Sequence, residues 1–132
     1  MAENTKVSRF VVDASYVLAF LLPDEQNSKV ERAFERFVTG VSIFYSSPIL
    51  PYEVFNSLSI AVKRKRIKSD QGAEMGKLFL EWDIHYEPLT FSSVFALALK
   101  KHLTVYDASY AWLAQEKNMP ILTFDKDLLK IV

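Results

Sequence analysis

The sequence predicts an α/β fold, a parallel sheet covered on both faces by helices. Three observations predict it. Short β-branched and aromatic runs alternate with longer stretches whose apolar residues recur at helical spacing. Half of the 132 residues are hydrophobic, enough for one compact domain with a sizeable core. The first and last extended runs each stop at an aspartate, Asp13 and Asp125. In open α/β sheets, ligands sit beyond the carboxyl ends of the strands.

Arg9 to Asp13 reads as a short buried strand with an acid at its end. Ala14-Ser15 turns the chain, and Tyr16 to Leu22 is a short helix stopped by Pro23. Asn27-Ser28 opens a clearer helix with Val30, Ala33, Phe34 and Phe37 on its apolar face, ended by Gly40. Val41 to Ser46 is the second strand. Pro48 and Pro51 break the chain, and Pro51 suits the first turn of a helix. That helix turns Val54, Leu58, Ala61 and Val62 inward and runs out in Lys63-Arg64-Lys65-Arg66. Ser69-Asp70 starts another, with Met75, Leu78, Phe79 and Trp82 on one side. Ile84 to Glu87 is the third strand, closed by Pro88. Ser92 caps a helix through Phe95, Leu97 and Leu99. In the next helix Tyr106, Tyr110 and Leu113 recur at helical spacing, and the small Ala111 and Ala114 leave room beside Asp107. Met119 to Phe124 is the last strand.

Sixteen basic residues balance sixteen acidic ones, which excludes strong whole-molecule steering toward nucleic acid but leaves local patches open. With no cysteine there are no disulfides and no thiolate metal sites, and a reducing cytoplasm is the natural compartment. The first apolar run reaches only Leu22 and contains Asp13, so neither a signal peptide nor a membrane span is expected.

Glu53 and Asp107 lie in the first turns of helices that follow strands or begin at the same sheet edge. Asp13, Glu53, Asp107 and Asp125 can therefore meet in one crevice although they span 112 positions (125 − 13). For Asp107 alone, capping its helix is the simpler role. Together, four carboxylates raise each other's pKa and oppose folding. A hard cation resolves that conflict, and Mg²⁺ and Mn²⁺ favour carboxylate and water oxygen. Two such ions about 3.5–4 Å apart can clamp a phosphodiester, one generating the attacking hydroxide and the other stabilising the leaving oxygen. No Ser, Cys or His nucleophile is then needed. His85 and His102 are expected to be structural.

Around these acids the sequence resembles the PIN-domain nuclease family, most closely the VapC-type toxins of type II toxin–antitoxin pairs. The resemblance is carried by Val12-Asp13-Ala14-Ser15, Tyr52-Glu53-Val54-Phe55-Asn56, Val105-Tyr106-Asp107-Ala108-Ser109-Tyr110 and Thr123-Phe124-Asp125. Each motif alone is weak; their order and strand or helix context make the set specific. The resemblance implies a single PIN domain over residues 1–132, an α/β/α sandwich with four or five parallel strands. It implies that Asp13, Glu53, Asp107 and Asp125 form a metal-binding catalytic quartet. It also implies endoribonuclease activity, homodimers and a VapB-like antitoxin partner. The chemistry would be hydrolysis of RNA by water in line, leaving 5′-phosphate and 3′-hydroxyl ends.

Ser15 matches a position where the family often has a hydroxyl near the metal; its simpler role is a helix cap. Asn56 stands one turn beyond Glu53, or is a solvent-facing amide. Asp127 follows Asp125 by two residues, and either could reach a metal. Asp125 is favoured because it stands directly at the strand end. Lys63, Arg64, Lys65 and Arg66, with Lys68, are either a solvated helix end or a phosphate contact for RNA. Rival functions are a housekeeping RNase in RNA processing or decay, a non-catalytic metal- or protein-binding module, and a receiver-like signalling domain.

Overall fold

The computed structural model describes residues 7–131. Among these residues, four parallel strands form one sheet in the order β3-β2-β1-β4. They are β1 (Ser8–Val12), β2 (Ser42–Ser46), β3 (His85–Tyr86) and β4 (Ile121–Leu122). β1 sets Phe10 opposite Phe44 and Val11 opposite Tyr45 on one side, and Val11 opposite Ile121 on the other. The end of β1 therefore lies in the middle of the sheet edge. The helices are α1 (Ala14–Leu21), α2 (Ser28–Val38), α3 (Leu50–Lys63), α4 (Ser69–Glu81), α5 (Phe91–Lys101), α6 (Val105–Lys117) and α7 (Lys126–Leu129), with a 3₁₀ turn at Pro23–Glu25. They cover both faces of the sheet, giving the α/β/α sandwich.

Aromatic packing fills one face. Phe34 and Phe37 of α2 meet Phe44 of β2 with ring centroids 5.3 and 4.3 Å apart, and Trp82 lies 5.0 Å from Phe34. The geometry is a mixture of edge and stacked contacts, which aromatic rings prefer to a face-to-face sandwich. α3 and α4 approach closely because Gly76 carries no side chain: a Cβ there would come within 2.5 Å of the Phe55 ring. α6 packs against β1 and β4, with Tyr110, Ala111, Leu113 and Ala114 buried.

Ala111 and Ala114 are core residues whose size lets α6 settle onto the sheet. Tyr106, by contrast, is exposed. In α5 the expected Phe95 and Leu99 point outward, and Val94 and Ala98 are buried against Ala108 of α6. Two small side chains four residues apart permit the closer helix contact. Leu78 of α4 is likewise exposed, while Phe79 enters the core. The helix after β1 begins at Ala14, not Tyr16, because Asp13 itself caps it. Thr90, not Ser92, precedes α5. The strands predicted over 84–87 and 119–124 shrink to two residues each. Pro120 has no N–H for the ladder, although its carbonyl accepts the Val11 N–H at 2.9 Å.

Candidate active site at the carboxyl edge of the sheet

Asp13 leaves β1 almost fully buried, at 3% exposure. Its Oδ1 accepts the Tyr16 N–H (3.1 Å) and the Ser15 hydroxyl (2.7 Å). Its Oδ2 accepts the Thr123 hydroxyl. Burial raises its pKa; the bonds from Thr123, Ser15 and the Tyr16 N–H oppose the rise, and the charge of Asp125 adds to it. Ser46 fixes the approach to Asp13 by donating to the Val12 carbonyl at 2.6 Å.

Thr123 joins the two strand-end acids. While donating to Asp13, its Oγ1 accepts the Asp125 N–H at 2.9 Å. Ser15 ties the same loop by accepting the Phe124 N–H at 2.8 Å. Asp125 caps α7 by accepting the Asp127 and Leu128 N–H groups at 2.9 and 3.1 Å. Asp127 is exposed in the first turn of α7 and is not its cap.

The helix-borne acids are held differently. Glu53, in the first turn of α3, accepts the Tyr110 hydroxyl at 2.6 Å. Burial, then the nearby Glu53 charge and hydrogen bond, hold the Tyr110 phenol far above its ordinary range, so it remains a donor. Asp107 is not the cap of α6. Thr104 is, accepting the Asp107 N–H at 3.0 Å. Burial raises the Asp107 pKa to about 6; Asp125, Glu53 and Asp13 push the same way, and the Thr104 hydroxyl only partly opposes them. Ser109, two residues on, donates to the Tyr106 carbonyl at 2.6 Å, and its Oγ lies 2.9 Å from Ser47 Oγ in a hydroxyl–hydroxyl bond that anchors α6 to the end of β2.

All four acids are thus brought to one edge, where Asp107 feels the charge of the other three and Asp13 that of Asp125. Among the described residues, however, no three His, Asp or Glu side chains stand as a ready metal-holding group. The carboxylates repel, and hydrogen bonds tether Asp13 and Glu53 to their own hydroxyl donors. By donor chemistry the set fits a hard divalent cation: it is all oxygen and anionic.

Ser15 stands at the site, bonded to Asp13, and does not cap α1. Asn56 is exposed on α3. Lys63, Arg64 and Lys65 are exposed at the end of α3. Arg66 is engaged: its guanidinium forks onto Asp24 (3.0 and 2.9 Å) and reaches Glu25 (2.9 Å). Sequence reasoning missed the roles of Thr123, Tyr110 and Thr104. Thr104 had a signal, a threonine three residues before an acid at a helix start. Tyr110 had none, since its hydroxyl partner lies 57 positions away.

The PIN domain family model matches residues 10–132. Ribonuclease VapC3 of Pyrobaculum aerophilum is 32% identical over 124 residues, covering 91% of this chain and 92% of that protein. The crystal structure of PAE2754 from Pyrobaculum aerophilum superposes with a TM-score of 0.73 at 22% identity, covering 95% of this chain and 86% of that one. VapC20 of Mycobacterium tuberculosis, described as a sarcin–ricin loop cleaving toxin, superposes with a TM-score of 0.62 at 13% identity, covering 92% and 93%. These two structures show a shared fold. Taken with the family match and the similarity to VapC3, they place the chain in the PIN-domain family, among its VapC-type members.

Proposed function

We propose that the chain is an endoribonuclease, a hydrolase of RNA phosphodiesters that depends on Mg²⁺ or Mn²⁺, and the toxin of a toxin–antitoxin pair. The observation that carries this is that Asp13, Glu53, Asp107 and Asp125 come to one edge of the sheet, where burial and the other three carboxylates raise the pKa of Asp107. Such crowding opposes the metal-free fold and favours a bound cation. Membership in the PIN family and the similarity to a protein named a ribonuclease support the choice of RNA.

Asp13, Glu53, Asp107 and Asp125 would hold the metal, directly or through water. When bound, a divalent ion supplies charge neutralisation at the phosphate and acidified water. The chain's own contribution is orientation. Ser15, Thr123 and the Tyr16 N–H fix both oxygens of Asp13. Tyr110 fixes one oxygen of Glu53 and leaves the other free. Asp125 is the fourth acid, since Asp127 is exposed and bonded through its backbone alone. Lys63, Arg64 and Lys65 remain as phosphate contacts, while Arg66 is occupied by Asp24 and Glu25.

The partners in this reading are RNA, a VapB-like antitoxin and a second copy of the chain. Phe91, Phe95 and Leu99 form an exposed apolar stripe along α5 that supports such a second copy. Among the described residues, no helix is long and apolar enough to cross a membrane. A cytoplasmic setting would place the enzyme with its substrate.

Purified protein freed of partner is expected to cut RNA with Mg²⁺ or Mn²⁺ and to stop in EDTA. Undiminished cutting in EDTA would overturn the mechanism. Expression alone should arrest growth, and co-expression of a small protein encoded beside it should restore it. Unimpaired growth from an active enzyme in its own host would favour the housekeeping role instead.

A further inference from the structure

Phe124 stands between Thr123 and Asp125, yet the residue is 48% exposed. Its backbone is fixed, because its N–H donates to Ser15 Oγ at 2.8 Å. Its ring is fixed as well. It stacks on Tyr16 with centroids 5.3 Å apart and planes 11° from parallel, and Tyr16 stacks in turn on the buried Phe34 at 6.1 Å and 17°. A large aromatic surface is therefore held rigidly in water beside the acids. Rigid, partly exposed rings are what unpaired bases stack on, because every base has a π-face.

Phe124 borders a cleft of about 260 Å³ whose other walls are Ser15, Ala19, Glu25 and Asn27. Asn27 uses its Oδ1 to cap α2, accepting the Val30 N–H at 2.9 Å. Its amide N–H groups are left as donors. Glu25 gives Oε2 to Arg66 at 2.9 Å, and its other oxygen is left as an acceptor. A π-face, a donor and an acceptor around one small cleft match the face and edge of a nucleobase. Ser15 lines both this cleft and the Asp13 site, so an occupant would lie against the phosphodiester to be cut.

We propose that the cleft between Phe124 and the Pro23–Glu25 turn binds one unstacked nucleobase of single-stranded RNA, next to the scissile phosphate. This rests on the ribonuclease reading and adds to it a base-binding subsite beside the cut. A ring that merely roofs Tyr16 would need only an apolar side chain. The test therefore compares Phe124→Leu, which keeps an apolar cover but loses the π-face, with Phe124→Trp, which keeps the π-face.

Equilibrium binding is measured in Ca²⁺ with a single-stranded 12-nucleotide RNA (about one binding-site length) and with an abasic ribose-phosphate analogue of the same length. Thermal melts of the three proteins accompany it. Phe124→Leu is expected to weaken RNA binding about five- to a hundredfold. Phe124→Trp should bind as the parent does, with its added indole fluorescence quenched by RNA. The abasic analogue should bind the parent weakly and lose nothing further in Phe124→Leu. Binding of RNA by Phe124→Leu within twofold of the parent, with a comparable melt, would overturn the subsite. So would a parent that binds RNA no better than the abasic analogue. The ribonuclease reading fails separately, when the parent neither binds RNA in Ca²⁺ nor cuts it in Mg²⁺ or Mn²⁺. A parent that binds and cuts RNA, matched in both by Phe124→Leu, would sink the subsite alone.

Discussion

The strand-end half of the site and its helix-start half hold their acids in opposite ways. At the strand ends, Asp13 is buried with both oxygens hydrogen-bonded, and Thr123 locks it to the Asp125 backbone. Both strand-end aspartates also cap helices, α1 and α7. At the helix starts, Glu53 is held through Tyr110, and Asp107 is partly exposed, crowded by like charge, with its pKa pushed up to about 6. The first half is built into the fold and would persist whatever it binds. In the second half, burial and like charge raise the Asp107 pKa, and under the proposed function a cation would relieve it. Asp13 and Asp125 cap helices while standing at the candidate site, and Asp107, which reads most simply as a cap, is not one.

Paired hydroxyl deletions sharpen this contrast. Thr123→Val removes a donor from a buried carboxylate and an acceptor from the Asp125 N–H, and leaves the cavity volume nearly unchanged. It is expected to cost about 1–3 kcal/mol and, by loosening Asp13, about 10- to 100-fold in activity. Tyr110→Phe removes one bond to a carboxylate that water can partly reach, so about 0.5–1.5 kcal/mol is expected, with activity within about tenfold of the parent. Denaturant melts and RNA cleavage on the same samples check both. A larger loss of stability from Tyr110→Phe than from Thr123→Val would reverse the assignment of which half is structural.

The alternation of strands and helices, and the sheet edge at which Asp13, Glu53, Asp107 and Asp125 meet, were legible in the sequence because strand-end position is set by local pattern and chain order. Side-chain partners were not. Asp13 and Thr123 are separated by 110 positions, and only the sheet order β1-β4 brings them together. Packing faces misled where size was taken for burial: Val94 and Ala98 enter the core of α5 while Phe95 and Leu99 do not. Ala111 and Ala114 show the same effect, since small residues mark where a helix presses onto a sheet as readily as where a pocket opens. The fourfold basic run was legible as a helix end. The pairing of Arg66, which sets it apart from Lys63, Arg64 and Lys65, depended on Asp24 and Glu25, some 40 positions earlier.

Burial, with like charge added, strains Asp107 in the folded protein, and the proposed function has a divalent ion relieve it. The most direct test is a set of thermal melts of the parent and Asp107→Asn across pH 4 to 7.5, with and without Mg²⁺ or Mn²⁺. The folded-state pKa of Asp107 is about 6 against an ordinary 3.8, so the folded protein holds this proton longer than the unfolded chain does. Its contribution to stability is therefore unfavourable, growing as pH rises from about 3.8 to about 6 and complete above that. The metal-free parent should lose stability relative to Asp107→Asn over that window and be no more stable than it at pH 7. Added metal should raise the parent's melting temperature at pH 7 and raise that of Asp107→Asn much less, since a ligand that binds only the folded state stabilises in step with its affinity. A metal-free Asn variant less stable than the parent at pH 7, with an undiminished response to metal, would contradict the account and remove Asp107 from the site.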